Sequence, residues 1–204
     1  MTQTLTGLFD SYADARRAVQ DLEAAGVPHR DVSIVASNAH GEHDRTTGVG
    51  ADDAGQDASK GASVGATVGG VGGLLAGLGL LAIPGLGPIV AAGWLASTLA
   101  GAAGGALLGG ATGGLVGALT HAGVSEADAH VYAEGVRRGG SLVTARVDEA
   151  LAPTARQILG DDRTVDVRAR GQAYRQDGWT RFDADTPAYT ADQVSRERTR
   201  FERV

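Results

Sequence analysis

A glycine-rich, uncharged stretch constrains this chain more than any other feature of its sequence. From Gly61 to Ser125 the sequence contains no Asp, Glu, Lys or Arg. Within this stretch, glycine recurs in two runs at a strict spacing of four residues. Because residues four apart lie on one ridge of a helix, each run predicts a helix with a bare groove where a second backbone packs closely. The glycines of the two runs are Gly61, Gly65, Gly69, Gly73 and Gly77, then Gly101, Gly105, Gly109, Gly113 and Gly117.

A turn, Ile83–Pro88, separates the two runs. It contains two prolines and two glycines, and proline removes a helical donor and clashes with the preceding turn. The pattern therefore predicts a glycine-zipper helical hairpin, with helices over residues 61–82 and 89–120. Gly110 and Gly114 lie on a second ridge of small residues in the second helix. That helix then has one face for the first helix and another for a second copy, so we predict a homo-oligomer.

The glycine content favours a lipid environment for this hairpin. In water each glycine costs a helix about 1 kcal/mol relative to alanine. In a bilayer an unpaired peptide group costs several kcal/mol, so the helix forms whatever its composition. Residues 61–82 would extend about 33 Å as a helix, which is enough to cross a hydrocarbon core of about 30 Å. We therefore predict that a lipid bilayer is a partner of the chain.

The segments that flank the hairpin predict an α+β domain. Alternating apolar residues predict strands, and helical spacing between capping and glycine signals predicts helices. Before the hairpin come a strand at Thr4–Phe9, a helix capped by Ser11 and Asp14, and a strand at Val32–Ala36. After it come a helix from Ser125 to Arg138, a strand at Ser141–Val147, a helix over 148–159 and a strand at Thr164–Val167. This order predicts a ferredoxin-like four-stranded sheet with helices on one face, split by the glycine-zipper hairpin.

These elements divide the chain into five segments. We assign 1–37 and 123–170 to the two halves of the ferredoxin-like domain, 38–60 to an acidic flexible linker, 61–122 to the hairpin and 171–204 to a disordered tail. Both ends of the hairpin return to one domain, so they would lie on one side of the membrane. The first ten residues lack a basic region followed by an apolar one, so we expect no secretory signal and a cytoplasmic sheet domain.

The sequence favours a protein without catalytic, cofactor or metal sites. The absence of cysteine excludes disulfides and thiolate metal ligands, and the net charge of −6 argues against nucleic-acid binding. The cluster His40–Asp44 lies in the linker, so it favours solvated side chains over a metal site. No phosphate-loop motif occurs. Glu134 and Arg137, three apart on a helix, predict a surface ion pair.

Several of these segments resemble a known family. They are the opening strand and helix, the break at Gly26–Pro28, the strand Val32–Ala36, the turn Ile83–Pro88 and the stretch Gly123–Gly140. Together they are similar to bacterial general-stress proteins with a YflT-type domain. The resemblance implies a stress-associated bacterial protein, and it brings no catalytic residue. With the hairpin, it predicts a protein of the bacterial cytoplasmic membrane.

Two alternatives to a membrane protein stay open. In the first, a soluble homo-oligomeric assembly buries the hairpins in its core. The turn Ile83–Pro88 favours this alternative, because it lacks the Lys, Arg, Trp and Tyr residues that anchor a segment at a membrane interface. In the second, the sheet domain is a small-ligand sensor, for which the sequence names no ligand.

Overall fold

The computed structural model describes residues 2–39, 79–83, 85–105 and 114–201. These residues form five β-strands and seven α-helices. The strands are β1 (Gln3–Phe9), β2 (Val32–Ser37), β3 (Gly79–Ile83), β4 (Gly87–Gly93) and β5 (Ser141–Val147). The helices are α1 (Tyr12–Ala24), α2 (Trp94–Gly105), α3 (Leu115–His121), α4 (Glu126–Arg137), α5 (Ala152–Ile158), α6 (Val167–Gln176) and α7 (Ala191–Phe201).

Local signals in the sequence set the ends of α1 and α4. Ser11 accepts a hydrogen bond from the backbone N–H of Asp14, and Ser125 accepts one from Asp128. Both serines also donate to the carboxylate of the same aspartate, so each helix begins with the predicted capping interaction. Gly139, with a positive φ of 101°, follows α4 and ends it as predicted.

The five strands form one antiparallel sheet in the order β1-β5-β2-β4-β3. Helices cover both of its faces, rather than the single face predicted. Buried apolar residues of α1 and α5 pack on one face. Those of α2, α3 and α4 pack on the other. The chain is therefore an α+β fold with three layers, and the strands are apolar on both sides because both sides are covered.

The turn Ile83–Pro88 joins two strands, so the helical-hairpin prediction is wrong at this point. β3 pairs with β4 from Gly79↔Ala91 to Ile83↔Gly87, so residues 79–82 and 89–91, predicted as helical, are paired strands. The backbone N–H of Leu86 donates to the Ile83 carbonyl at 3.1 Å, and Gly85 and Gly87 have positive φ angles. The sheet explains this outcome, because β4 also pairs with β2 and buries Ile89 and Val90.

The second glycine run does not lie on one uninterrupted helix. Gly101 and Gly105 lie in α2, whereas Gly117 lies in α3. Gly114 has a non-helical backbone and caps α3, so α3 begins only at Leu115. A Cβ at Gly114 would contact Ile83 of β3 at 3.8 Å. The remaining predicted interface glycines lie outside the described residues: Gly61, Gly65, Gly69, Gly73, Gly77, Gly109, Gly110 and Gly113.

The structure also differs from the prediction after residue 160. Thr164 makes a single antiparallel bridge to Phe9 in place of a fourth strand. Asp166 accepts hydrogen bonds from the backbone N–H groups of Arg168 and Ala169. It thereby caps α6 and ends the extended chain. The segment expected to be a disordered tail contains most of α6 and the whole of α7.

Candidate functional site

A cluster of charged side chains lies buried at the C-terminal end of α4. Its members, which we call the arginine–glutamate cluster, are Glu134, Arg137, Arg138 and Glu197. The Glu134 side chain is 0% exposed, and those of Arg137 and Arg138 are 8% exposed. The sequence predicted a surface ion pair between Glu134 and Arg137. That prediction is wrong about the surface, because residues far along the chain bury the pair.

Glu134 lies at the centre of this cluster. Arg137 donates to its two carboxylate oxygens from Nε at 3.0 Å and from Nη2 at 2.7 Å. Arg138 donates to Glu134 Oε1 at 2.6 Å and, from Nη1, to Glu197 Oε1 at 2.8 Å. Burial on its own lowers the pKa of Arg138, but its hydrogen bonds with the two glutamates raise that pKa above the ordinary value. The cluster is thus a charged network whose groups satisfy one another.

Residues 178–201, which we call the C-terminal strap, cover this network. Its helix α7 brings Glu197 to Arg138, and Arg198 donates to the Gly139 carbonyl at 3.1 Å. The preceding loop brings the Pro187 carbonyl within 3.4 Å of Arg137. Each contact joins residues at least 50 positions apart in the sequence. The strap therefore buries the arginine–glutamate cluster. The sequence of α4 alone does not predict this burial.

Close approach to glycine fixes the path of the C-terminal strap. A Cβ at Gly139 would lie 2.2 Å from Val194 Cγ1, and Val194 is 0% exposed. At Gly87, in the β3–β4 turn, a Cβ would lie 2.7 Å from Ala188 Cβ. Any larger residue at these glycines would push the strap away, so they let it lie directly on the backbone of α4 and of the turn.

Aromatic rings surround the arginines of this site. The Arg138 guanidinium lies 4.0 Å from the Tyr174 ring centroid, and Arg137 lies 5.0 Å from that of Tyr189. Arg170 lies 3.7 Å from the Phe201 ring centroid and donates two hydrogen bonds of 2.7 Å to Asp10. These contacts place guanidinium groups against aromatic rings, where cation–π attraction adds to the ion pairs. Carboxylates and aromatic rings together thus hold the arginines of this site in place.

Alkaline pH tests the closure of this site. Burial raises the pKa of Tyr174 to about 12, while the nearby Arg170 lowers it by less. Burial and the Asp128 carboxylate raise the pKa of Tyr132 to about 12. In the unfolded chain a tyrosine ionises near pH 10. Between about pH 10 and 12 the unfolded chain loses protons that the folded chain keeps, so stability falls as the pH rises.

We expect the free energy of unfolding, measured by urea denaturation, to fall over this window by about 1 kcal/mol per pH unit for each of the two tyrosines. Tyr174→Phe should remove about half of the fall, because Tyr132 retains its own contribution. An equal alkaline loss in the wild type and in Tyr174→Phe would contradict the buried position of Tyr174.

A second group of polar atoms lies on the α4 side of the sheet. Thr6 of β1 pairs directly with Thr144 of β5. Their hydroxyls, the Trp94 indole nitrogen and Arg146 Nε are buried, and none has a hydrogen-bond partner within the described ranges. The Arg146 guanidinium lies 4.9 Å from the Trp94 ring and donates to Asp31 at 2.9 Å. Sequence reasoning missed this group, because strand pairing brings its members together.

Comparison with known proteins gives a family match for the first part of the chain. Residues 4–83 match the family model of the heat induced stress protein YflT domain. Residues 4–83 are thus similar to a YflT-type stress-protein domain. This match confirms the family resemblance and supports a stress-associated role. Searches of curated proteins and of solved structures each gave no match.

The YflT match covers less than half of the chain. It extends from β1 to the end of β3. The arginine–glutamate cluster and the C-terminal strap lie outside it, as do Trp94, Thr144 and Arg146 of the second polar group. The family match therefore supports a stress-associated role. The residues of the buried arginine–glutamate cluster lie in the sequence beyond the match.

Within residues 2–39, 79–83, 85–105 and 114–201, no helix combines the length and apolar character needed to cross a bilayer. The same ranges hold no group of three or more His, Cys, Asp or Glu side chains arranged to bind a metal ion. The His40–Asp44 cluster lies outside the described residues.

Proposed function

We propose that the protein is a non-enzymatic, stress-associated bacterial protein whose glycine-rich segment, residues 61–78, binds the same segment of other copies. The sheet domain is the platform that holds this segment. Stress association is supported by the YflT match. Self-association is supported by the glycine spacing of four, which suits close backbone packing.

The observation that carries this proposal is the placement of the two ends of residues 40–78. β2 ends at Ser37 and β3 begins at Gly79, and β4 alone lies between these two strands. Neighbouring strands lie about 4.8 Å apart, and successive residues of a strand about 3.3 Å apart. Gly79 lies level with Val35, two residues before Ser37, so Ser37 and Gly79 are about 12 Å apart. The two strands that flank residues 40–78 thus belong to one sheet, as the proposal requires of a platform.

A paired glycine substitution tests this proposal. Gly69→Leu/Gly73→Leu places two side chains in the groove and should raise the dissociation constant of the assembly by roughly tenfold or more. The matched control is Gly70→Leu/Gly72→Leu, which adds the same atoms to the same segment off the four-residue spacing. The measurement is molar mass by light scattering during gel filtration, over a range of concentrations.

Two results would oppose self-association through this groove. One is a wild-type mass equal to that of a single chain at every concentration. The other is an equal shift in the two double variants, since this would show that leucine acts without regard to the glycine spacing.

In this proposal, the predicted association with a membrane is restricted to residues 40–78. Both ends of residues 40–78 lie in one sheet, so a bilayer segment within them must enter and leave on the same side. Residues 61–78 would extend about 27 Å as a helix, close to one bilayer crossing of about 30 Å and far from two. A bilayer partner would therefore hold this segment as a re-entrant loop. If the wild-type protein failed to float with lipid vesicles, the hypothesis of a re-entrant loop would be contradicted.

We also propose that the sheet keeps the ferredoxin-like plan around its centre. β1, β5 and β2 lie in the spatial order that this plan gives to its first, third and second strands. Thr164 pairs with Phe9 at the position of a fourth strand. The β3–β4 hairpin then extends the sheet beyond β2. A solved structure in which residues 161–167 pair elsewhere would oppose this proposal.

A small-ligand sensor is the second candidate function. The unpartnered hydroxyls of Thr6 and Thr144 and the nearby N–H groups of Trp94 and Arg146 favour it, because such groups suit a ligand that accepts hydrogen bonds. Under this hypothesis acetate, as a probe, shifts the Trp94 indole N–H signal in a nitrogen–proton NMR spectrum. An unmoved signal would remove the hypothesis.

A further inference from the structure

The C-terminal helix α7 lies on the rest of the protein in the manner of a bound helical peptide. Four of its contact residues lie on one side, namely Val194, Glu197, Arg198 and Phe201. These positions follow the i, i+3, i+4, i+7 spacing of anchors by which an amphipathic helix binds in a groove. Arg200 also contacts the rest of the chain, through an ion pair with Asp177. The opposite side, with Arg196 and Thr199, faces solvent.

The groove beneath α7 has an apolar end and a charged end. At one end Val194 occupies the space above Gly139, which has no side chain. In the middle Arg138 receives the Glu197 carboxylate, and at the other end Arg170 stacks on the Phe201 ring at 3.7 Å. Each anchor has its own complement, so the groove recognises a helix with an apolar residue, a carboxylate and an aromatic ring in that order.

The four anchors contact Gly139, Arg138 and Arg170 rather than the link between α6 and α7. The link adds one ion pair to α7, between Asp177 and Arg200. Residues 177–190 form no regular helix or strand, and α7 lies at the end of the described chain. A tethered segment binds its own groove at an effective concentration in the millimolar range. In an assembly of several copies, the α7 helices of neighbours are present at comparable local concentrations. Exchange between copies then costs little, because each exchanged contact equals the one it replaces.

We propose that this groove is an interaction surface for the C-terminal helix of a second copy, and that α7 of the same chain is its resident occupant. The proposal deepens the self-association proposed above and rests on it for the proximity of the second copy. It assigns Gly139, Arg138 and Arg170 to recognition of the incoming helix. Exchange of α7 would link neighbouring copies through their sheet domains, at a surface separate from residues 61–78.

The experiment uses the full chain and a synthetic fluorescent peptide with the sequence of residues 188–204. Val194→Asp in the chain releases the resident helix but leaves the groove intact, because Gly139, Arg138 and Arg170 are unchanged. We expect the peptide to bind this variant, as measured by fluorescence anisotropy. A peptide carrying Glu197→Gln should bind roughly tenfold more weakly, since it loses the charged contact with Arg138.

A matched pair of glycine substitutions locates the binding. Gly139 and Gly123 have similar positive φ angles of 101° and 95°, so alanine strains the backbone equally at both. A Cβ at Gly139 fills the Val194 position, whereas a Cβ at Gly123 meets no atom within 4 Å. Adding Gly139→Ala to Val194→Asp should weaken peptide binding by roughly tenfold or more. Adding Gly123→Ala should leave it unchanged.

Two outcomes would overturn the proposal: no peptide binding to the Val194→Asp chain, or equal binding after Gly139→Ala. If Val194→Asp does not fold, Phe201→Ser releases the other end of α7 by a milder change and gives the same test. The assay needs only one chain and one peptide. Its outcome therefore does not depend on residues 61–78, and failure of this proposal is distinguishable from failure of the proposed function.

Discussion

Glu134→Gln is expected to lower the free energy of unfolding by about 3–5 kcal/mol, the usual cost of breaking a buried ion pair on one side. The substitution keeps the size of the side chain and removes its charge. Arg137 and Arg138 are both buried, and both would lose their shared carboxylate. Arg138 would keep Glu197, whereas Arg137 would keep a carbonyl contact of 3.4 Å with Pro187.

The matched control is Glu126→Gln on the same helix. The Glu126 side chain is 82% exposed and lies 3.9 Å from His130, so its loss should change stability by no more than about 0.5 kcal/mol. Urea denaturation at neutral pH measures both variants. If Glu134→Gln were as stable as Glu126→Gln, the buried network would not exist in solution.

Gly93→Ala is expected to cost about 4 kcal/mol or more, because two separate penalties fall on one residue. Gly93 ends β4 directly before α2, with a φ of 84° that side chains rarely adopt. A Cβ there would lie 2.1 Å from the Val32 carbonyl oxygen and 2.8 Å from Ser33 Cα. Both atoms belong to the backbone of β2, so the clash is relieved only by separating β2 from β4.

Gly26→Ala measures the free-energy cost of a positive φ angle without the steric clash. Gly26 has a φ of 95°, and a Cβ there meets no heavy atom within 4 Å. Its replacement should cost about 1–2 kcal/mol, which is the penalty for the left-handed conformation alone. The difference between the two variants in urea denaturation measures the packing of β4 against β2. Equal losses would show that β4 does not pair with β2 as described.

Sequence patterns predicted the elements whose signals are local. The spacing of Ser11 from Asp14 and of Ser125 from Asp128 predicted two helix starts, and the same side chains form the caps in the structure. The strands β1, β2 and β5 followed from apolar periodicity. In each case the residues that give the signal also make the contact, so one stretch of sequence contains the whole physical cause.

The prediction failed where partners lie far along the chain. Short apolar runs such as Ile89–Ala92 fit either a strand or a buried helix, and pairing with β2 decides between them. The sequence of residues 171–204 predicts a disordered tail because it shows no clean apolar stripe. In the structure α7 has one fully buried residue, Val194. Its other anchors are polar or aromatic, and their partners are Arg138, Gly139 and Arg170.

The same reason explains the buried site. The spacing of Glu134 and Arg137 predicted an ion pair correctly, but nothing within α4 predicted its burial. Glu197 and Val194, which cover the pair, lie in another helix near the end of the chain. Sequence reasoning would have needed the position of α7 to identify the site.

The site and the further inference both depend on closure of the C-terminal strap over α4. Amide hydrogen exchange at Val194 measures this closure most directly, because its N–H donates to the Thr190 carbonyl at 3.0 Å and its side chain is buried. We predict that the Val194 amide in the wild-type chain exchanges far more slowly than in a free peptide of residues 188–204. Exchange at the rate of the free peptide would contradict the account.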